Sequence, residues 1–365
     1  MLNRRNLRIK VMQSLFALQQ GVEANYQLCL NHITERFKPD LNSMEVQDKA
    51  LLRKQRSEAL KLFEDSFKSK DFTPDSADSE VKNSVNECFI MYKNNVNKDV
   101  EFFRKNLISE VERIYDHYLS VLGLVVELTA AARADKKAQH NNFLANAWIN
   151  ALQENEKISK DAVKRWQSEA NTVKAWFRDV VRQDNDYLAY LDKKAPSSEE
   201  QKKFITYLFR KVILGKTVIN EYFEEEVLRW AEDKEIVKGM VEKTIKSFDP
   251  QENHPIKLHT LSVNWEDDRE FIYTLYSAAF NLEEHYKNLI AQNTRNWEVE
   301  RLPLTDRVIL EMAIAEMLNF PNIPVKVTIN EYIELAKNYS TPKSRQFING
   351  ILDAIAKELK EEGAL

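Results

Sequence analysis

Two clusters of side chains in this 365-residue chain have the types and spacing to hold an anion. The first lies in MLNRRNLRIKVMQSLFALQQG, where Arg4, Arg5, Arg8 and Lys10 all precede the first carboxylate, Glu23. At about 100° per residue, Arg5, Arg8, Met12 and Phe16 fall along one flank of a helix. Cations beside an aromatic ring can hold phosphates and stack a base. The same pattern also suits a solvated face beside a core phenylalanine, or a helix that meets a membrane surface or a partner. The second cluster is TPKSRQF, residues 341–347. Thr341 suits an N-cap, and Pro342 suits the first helical position, where its missing N–H costs nothing. Lys343, Ser344 and Arg345 then fill the first turn, so free amides, the positive dipole end and two cations coincide. Phosphate is the usual anion at such a spot.

No catalytic constellation accompanies these clusters. His254 and His259 sit in a proline-containing loop, with neither the i, i+4 spacing of a helical metal pair nor a CxxC site beside them. His32, His117, His140 and His285 are isolated in the sequence. There is no GxxxxGKS or GxxxxGKT loop, no GxGxxG after a strand and no GxSxG. The acidic run EYFEEEVLRWAEDKE, residues 221–235, reads as the solvated face of a helix and as a dock for a basic partner. The expectation is a protein with no catalytic residues, no cofactor and no metal.

The elements that position the cationic clusters are helices. Leu7, Val11, Leu15 and Leu18 form the apolar stripe of the first, and Gly21 suits its C-terminal stop. Near the other end, Thr328 and Glu331 have the spacing of a capping box, with Ile329, Ile333 and Ala336 following at helical intervals over about ten residues. The helix after Pro342 runs through Phe347, Ile351, Leu352, Ile355 and Leu359. Only six glycines and nine prolines punctuate a chain that is 43% hydrophobic and 30% charged, which favours long helices. The fold class expected is all-α. A net charge of -4 confines any nucleic-acid contact to local patches. Two cysteines, Cys29 and Cys88, imply no disulfide framework and fit a reducing compartment. No apolar run approaches the roughly 20 residues that span a membrane, and no signal peptide is evident, so a cytoplasmic location is expected.

RRNLRIKVMQSLFALQ at the start, and DRVILEMAIAEML, IPVKVTINEYIELAKNY and TPKSRQFINGILD near the end, resemble the NusB family of bacterial transcription antitermination factors. The resemblance implies helical bundles, and an RNA-binding factor that acts with the ribosomal protein serving as NusE on boxA-type RNA in ribosomal RNA transcription. It extends to the RNA polymerase elongation complex as a partner. It places the family's RNA-facing positions on Arg4, Arg5, Arg8, Phe16, Lys343, Ser344, Arg345 and Phe347. Phe347 lies at the edge of an apolar arc, open to core packing or to base contact. Asn349 and Gly350 read as structural, the glycine suggesting close packing of another helix. Charge reversal at Arg5 and Arg8 is expected to weaken RNA binding and leave the fold intact. Two other readings are an RNA-modifying enzyme, which lacks its glycine-rich cofactor loop here, and a protein-interaction scaffold in ribosome biogenesis without RNA binding of its own.

Length departs from the family's. The organisation expected is a basic helix of the NusB-like core (1–30), a polar insertion with a mobile stretch (31–101), a middle helical region (102–192), a further helical region (193–262) and the C-terminal NusB-like domain (263–365). A helix is expected from Phe102 to Leu128, and Trp148, Trp166 and Trp176 are expected as packing anchors. FITYLF and FIYTLY begin a faint repeat in which Phe204, Leu208 and Trp230 correspond to Phe271, Leu275 and Trp297.

Overall fold

A computed structural model describes residues 2–40, 42, 44, 46–252, 254–294 and 302–365. The described residues form sixteen α-helices and no strand. The chain opens with α1 (Arg4–Arg36), α2 (Lys49–Ser69) and α3 (Ser79–Ala134). Short helices follow: α4 (Asn141–Leu144), α5 (Ala147–Glu154), α6 (Val163–Ser168), α7 (Ala170–Trp176) and α8 (Asn185–Leu191). Then come α9 (Ser198–Tyr207), α10 (Thr217–Glu226), α11 (Trp230–Ser247), α12 (Trp265–Phe280), α13 (Glu284–Asn293), α14 (Leu304–Asn319), α15 (Val325–Tyr339) and α16 (Ser344–Glu361). Two compact units divide the chain, one of Met1–Asn6 with Ser109–Asp268, the other of Leu7–Ile108 with Arg269–Leu365.

In the first unit, tryptophans organise the packing. Trp148, Trp166 and Trp230 are buried, and each indole N–H is satisfied: to the carbonyls of Ile245 (3.0 Å) and Ser120 (2.7 Å), and to Asn220 Oδ1 (3.3 Å). A buried indole needs such a partner, because leaving the donor unpaired costs as much as a lost hydrogen bond. Trp176 is also buried, packing edge-on against Trp166. Gly123 admits a close approach to the π-helical turn Ile158–Ala162, since a Cβ there would lie 2.5 Å from that of Ala162. The acidic run 221–235 is not one helix. It breaks between α10 and α11, leaving Leu228 almost wholly exposed.

Phe204 and Phe271 lie 67 residues apart, and the same offset relates the bounds of elements. Adding 67 to the bounds of α9 with its continuing π-helical turn, Ser198 and Ile213, gives those of α12, Trp265 and Phe280. The same step carries α10, Thr217 and Glu226, onto α13, Glu284 and Asn293. The proposed partner of Trp230, Trp297, lies outside the described residues.

Asp135 in the first unit is held well below the usual carboxylate range, to about 2. The main cause is the hydrogen bond from the Lys137 amide, followed by those from Arg182 and His140. A depressed folded-state value means the contribution is complete above the ordinary carboxylate range and is lost as pH falls toward 2. Asp135→Asn should therefore remove part of the acid sensitivity of unfolding below about pH 4. Unfolding midpoints measured from pH 5 to 2 would show the variant's curve flatter than the wild type's.

In the second unit, α1 does not stop at Gly21. It continues to Arg36, and beside Gly21 the Oδ2 of Asp99 on α3 accepts from Asn25 Nδ2 at 2.7 Å, where a Cβ on residue 21 would make ordinary contact at 3.4 Å. Residues 31–101, expected as a polar insertion, carry much of an apolar core. Ile33 and Phe37 of the α1 end, Ala59 and Phe63 of α2, and Val81, Val85 and Phe89 of α3 are buried together, with Phe63 stacked on Phe89 at 4.9 Å. α2 is capped by Asp48, which accepts from the amides of Ala50 and Leu51, and ends at Lys70 with φ 56°. The long helix begins at Ser79, well before Phe102.

Elsewhere in this unit α14 is the central helix. Its residues from Val308 to Leu310 and from Met312 to Met317 are all buried, and α15 and α16 pack against it and against each other. Gly350 is exposed, and a Cβ there would meet nothing within 4 Å, so it does not mark a close helix contact. Gly350→Ala should therefore stabilise this unit by roughly 0.8–1 kcal/mol, the helix-propensity difference. A urea midpoint that fails to rise would contradict the open surroundings of this position.

Candidate nucleic-acid interface

Arg8 leaves the exposed set. Its side chain is 3% exposed and clamps the fully buried Glu316 of α14 in a bidentate pair, Nε and Nη2 each at 2.7 Å. Planar guanidinium meeting carboxylate in this way is the strong form of the ion pair. The remaining acceptor capacity of Glu316 is used by Thr328 Oγ1 (2.9 Å) and Tyr332 Oη (3.0 Å) of α15. Glu331 adds a second carboxylate 3.8 Å from Arg8 Nη1, and the Phe271 ring of α12 lies 5.5 Å from the guanidinium carbon. Burial alone would lower the Arg8 pKa, but the hydrogen bonds and charge of Glu316 outweigh it and hold Arg8 above its ordinary value. Burial, then the Glu316 charge, pushes the Tyr332 phenol far up.

This network corrects two expectations. Thr328 is not an N-cap: α15 starts at Val325 after Pro324, so Thr328 lies in the first turn with its hydroxyl turned inward to Glu316. Charge reversal at Arg8 would set two carboxylates against each other in the core and unfold the unit, so it cannot report on RNA. Arg8 is a packing residue rather than a phosphate contact.

The start of α16 is built around a second buried carboxylate. Asp306, in the first turn of α14, accepts from Ser340 Oγ at one oxygen and from Ser344 Oγ at the other, the latter at 2.7 Å. Thr341 Oγ1 meets Ser344 Oγ at 2.8 Å, and the Ser344 amide closes a turn onto the Thr341 carbonyl at 3.0 Å. The regular helix thus begins at Ser344, after a turn through Pro342 and Lys343, and not at Pro342 itself. The anion facing Ser344 is Asp306. Ser344 is buried and spent on it, which removes this hydroxyl from the expected phosphate contacts.

Of the expected phosphate contacts at this turn, Lys343 and Arg345 stay exposed, neither in an ion pair among the described residues. Beside them opens a cavity of about 400 Å³, walled by Leu302, Pro303 and Phe347, with Asp306 and Ser344 within and Lys343 and Thr341 also lining it. Phe347 is half-buried, one of the apolar surfaces of that cavity. Such a space has the dimensions and apolar walls for a flat heterocycle. On α1, Phe16 is 37% exposed. In the first unit, Arg5 is exposed, and Arg4 pairs with Asp267 and lies 4.0 Å from Asp268.

Sequence reasoning missed Glu316 and Asp306. Each is an acidic residue on an otherwise apolar helix face, within LTDRVILEMAIAEMLN, and that is the signal that could have found them.

The NusB family model matches residues 237–357. Over 97 residues, 27% of this chain, the transcription antitermination protein NusB of Chloroherpeton thalassium is 42% identical, the match covering 46% of that protein. The corresponding protein of Salinibacter ruber is 40% identical over 97 residues and is covered to 61%, and that of Koribacter versatilis is 42% identical over 97 residues and is covered to 66%. The chain thus spans between 46% and 66% of these relatives. Residues 237–357 of this chain thus carry a NusB family domain.

Proposed function

We propose that this chain is a non-enzymatic, RNA-binding transcription antitermination factor. It acts with the ribosomal protein serving as NusE on boxA-type RNA, at the RNA polymerase elongation complex that transcribes ribosomal RNA operons, in the bacterial cytoplasm. The relatives bear the name of antitermination proteins, and no helix among the described residues is long and apolar enough to cross a membrane.

The observation that carries the reading is the pair of exposed cations, Lys343 and Arg345, beside the cavity that Phe347 walls. Lysine and arginine there hold phosphates, while an unstacked base enters the cavity against Phe347. Phe16 of α1 offers a second stacking face. Arg8 and Ser344 hold the scaffold from within.

The burial of those two side chains, taken from the expected contact set, favours one alternative, a scaffold in ribosome biogenesis that binds protein and no RNA. Titrating the full chain into labelled boxA-type RNA, with and without the ribosomal partner, separates the readings. The antitermination reading expects binding that the partner strengthens. Partner binding with no RNA affinity in either arm would favour the scaffold.

A further inference from the structure

Cys29 of α1 and Cys88 of α3 are the chain's two cysteines, both free and fully buried in the second unit. They face each other. Cys29 Sγ donates to the Cys88 carbonyl at 3.4 Å, and Cys88 Sγ to the Cys29 carbonyl at 3.6 Å. Each sulfur therefore lies against the other residue's backbone. A disulfide needs this close apposition of two backbones with both sulfurs between them.

The two thiols are unequal. The neighbouring Cys88 side chain lowers the Cys29 pKa against the opposing effect of burial, while the neighbouring Cys29 and burial push Cys88 far up. α2 packs on the same cluster: it fully buries only Ala59, Phe63 and Ser66, with Leu52, Leu60, Leu62 and Phe67 partly buried, and the irregular segment 70–78 follows it. A single helix with few fully buried side chains opens locally at less cost than the whole unit.

We propose that Cys29 and Cys88 are an oxidation site, closing to an intrachain disulfide that joins α1 to α3 when a peroxide reaches them. The Cys29 thiolate attacks one peroxide oxygen and the O–O bond breaks. The Cys29 proton leaves with the departing hydroxide as water, and Cys29 becomes a sulfenic acid. Cys88 sulfur then attacks the Cys29 sulfur, the S–O bond breaks, and the expelled hydroxide takes the Cys88 proton as a second water. Both sulfurs are oxidised and one hydrogen peroxide is reduced.

The test treats the native full chain with hydrogen peroxide, removes the peroxide, then denatures and alkylates it. The expected product is about 2 Da lighter, carries no alkyl group and yields a peptide linking Cys29 to Cys88. Its melting temperature rises by roughly 5 °C and falls back on reduction, as closing a long loop predicts. Two alkyl groups after peroxide, or sulfinic acids in place of the linked peptide, would overturn the proposal. Cys88→Ala supplies a second readout: Cys29 should now be trapped by dimedone as the sulfenic acid, and an unlabelled Cys29 would overturn its role as the attacking thiol.

Discussion

Glu316→Ala is expected to destabilise the second unit by about 3–5 kcal/mol, the usual cost of stranding one member of a buried ion pair. The substitution leaves the Arg8 guanidinium buried without its bidentate partner and strips Thr328 and Tyr332 of their acceptor. Desolvation, not lost attraction, dominates the cost, and this gives the prediction a second edge. Replacing Arg8 and Glu316 together by methionine removes both charges and should cost less than Glu316→Ala alone, although it alters more residues. Urea unfolding of the two variants checks this. If the double variant proved the less stable, the loss would come from packing and the ion pair would not be the main determinant.

That network shows where the sequence was legible and where it was not. Helical class followed from sparse glycine and proline, and the tryptophan anchors followed from size and apolarity, because these depend on local composition. Arg8 did not. On a helical wheel it sits beside the apolar stripe and resembles its neighbour Arg5, and only the arrival of Glu316 from far along the chain decides that one arginine is core and the other exposed. Thr328 failed for the same reason: serine and threonine cap helices when no better acceptor is near, and here a buried carboxylate was near. Gly21 looked like a stop because glycine often ends helices, yet α1 runs through it to Arg36, since one glycine inside a helix costs only about 1 kcal/mol. The core shared by α1, α2 and α3 was hidden because its aromatics, such as Phe63 and Phe89, are spaced among many polar residues on helices that each bury only a narrow face.

At the candidate interface the division of labour among the expected residues was not legible, because it depends on a carboxylate that arrives from another helix. Residue types at the start of α16 point to an anion site, and the anion facing Ser344 is the protein's own Asp306. The remaining candidates at this turn are the two long cations, which reach past it into solvent.

Charge reversal at both, Lys343→Glu with Arg345→Glu, is the second large effect expected. Two exposed phosphate contacts become two repulsions, so affinity for boxA-type RNA should fall by roughly 10- to 100-fold near physiological salt. Neither side chain is in an ion pair among the described residues, so stability should stay within about 0.5 kcal/mol of wild type. A folded protein that has lost RNA affinity is the signature of a contact surface. A variant that unfolds would assign these residues to the scaffold, alongside Arg8.

The salt dependence of boxA-type RNA binding, measured side by side for the wild type and this double variant, tests the central claim most directly. Each phosphate neutralised on a single strand contributes about 0.7 to the slope of log affinity against log salt. The wild-type slope should therefore be steeper than the variant's by about 1.4. Parallel slopes, or a wild type that binds no RNA at any salt, would contradict an RNA interface at Lys343 and Arg345.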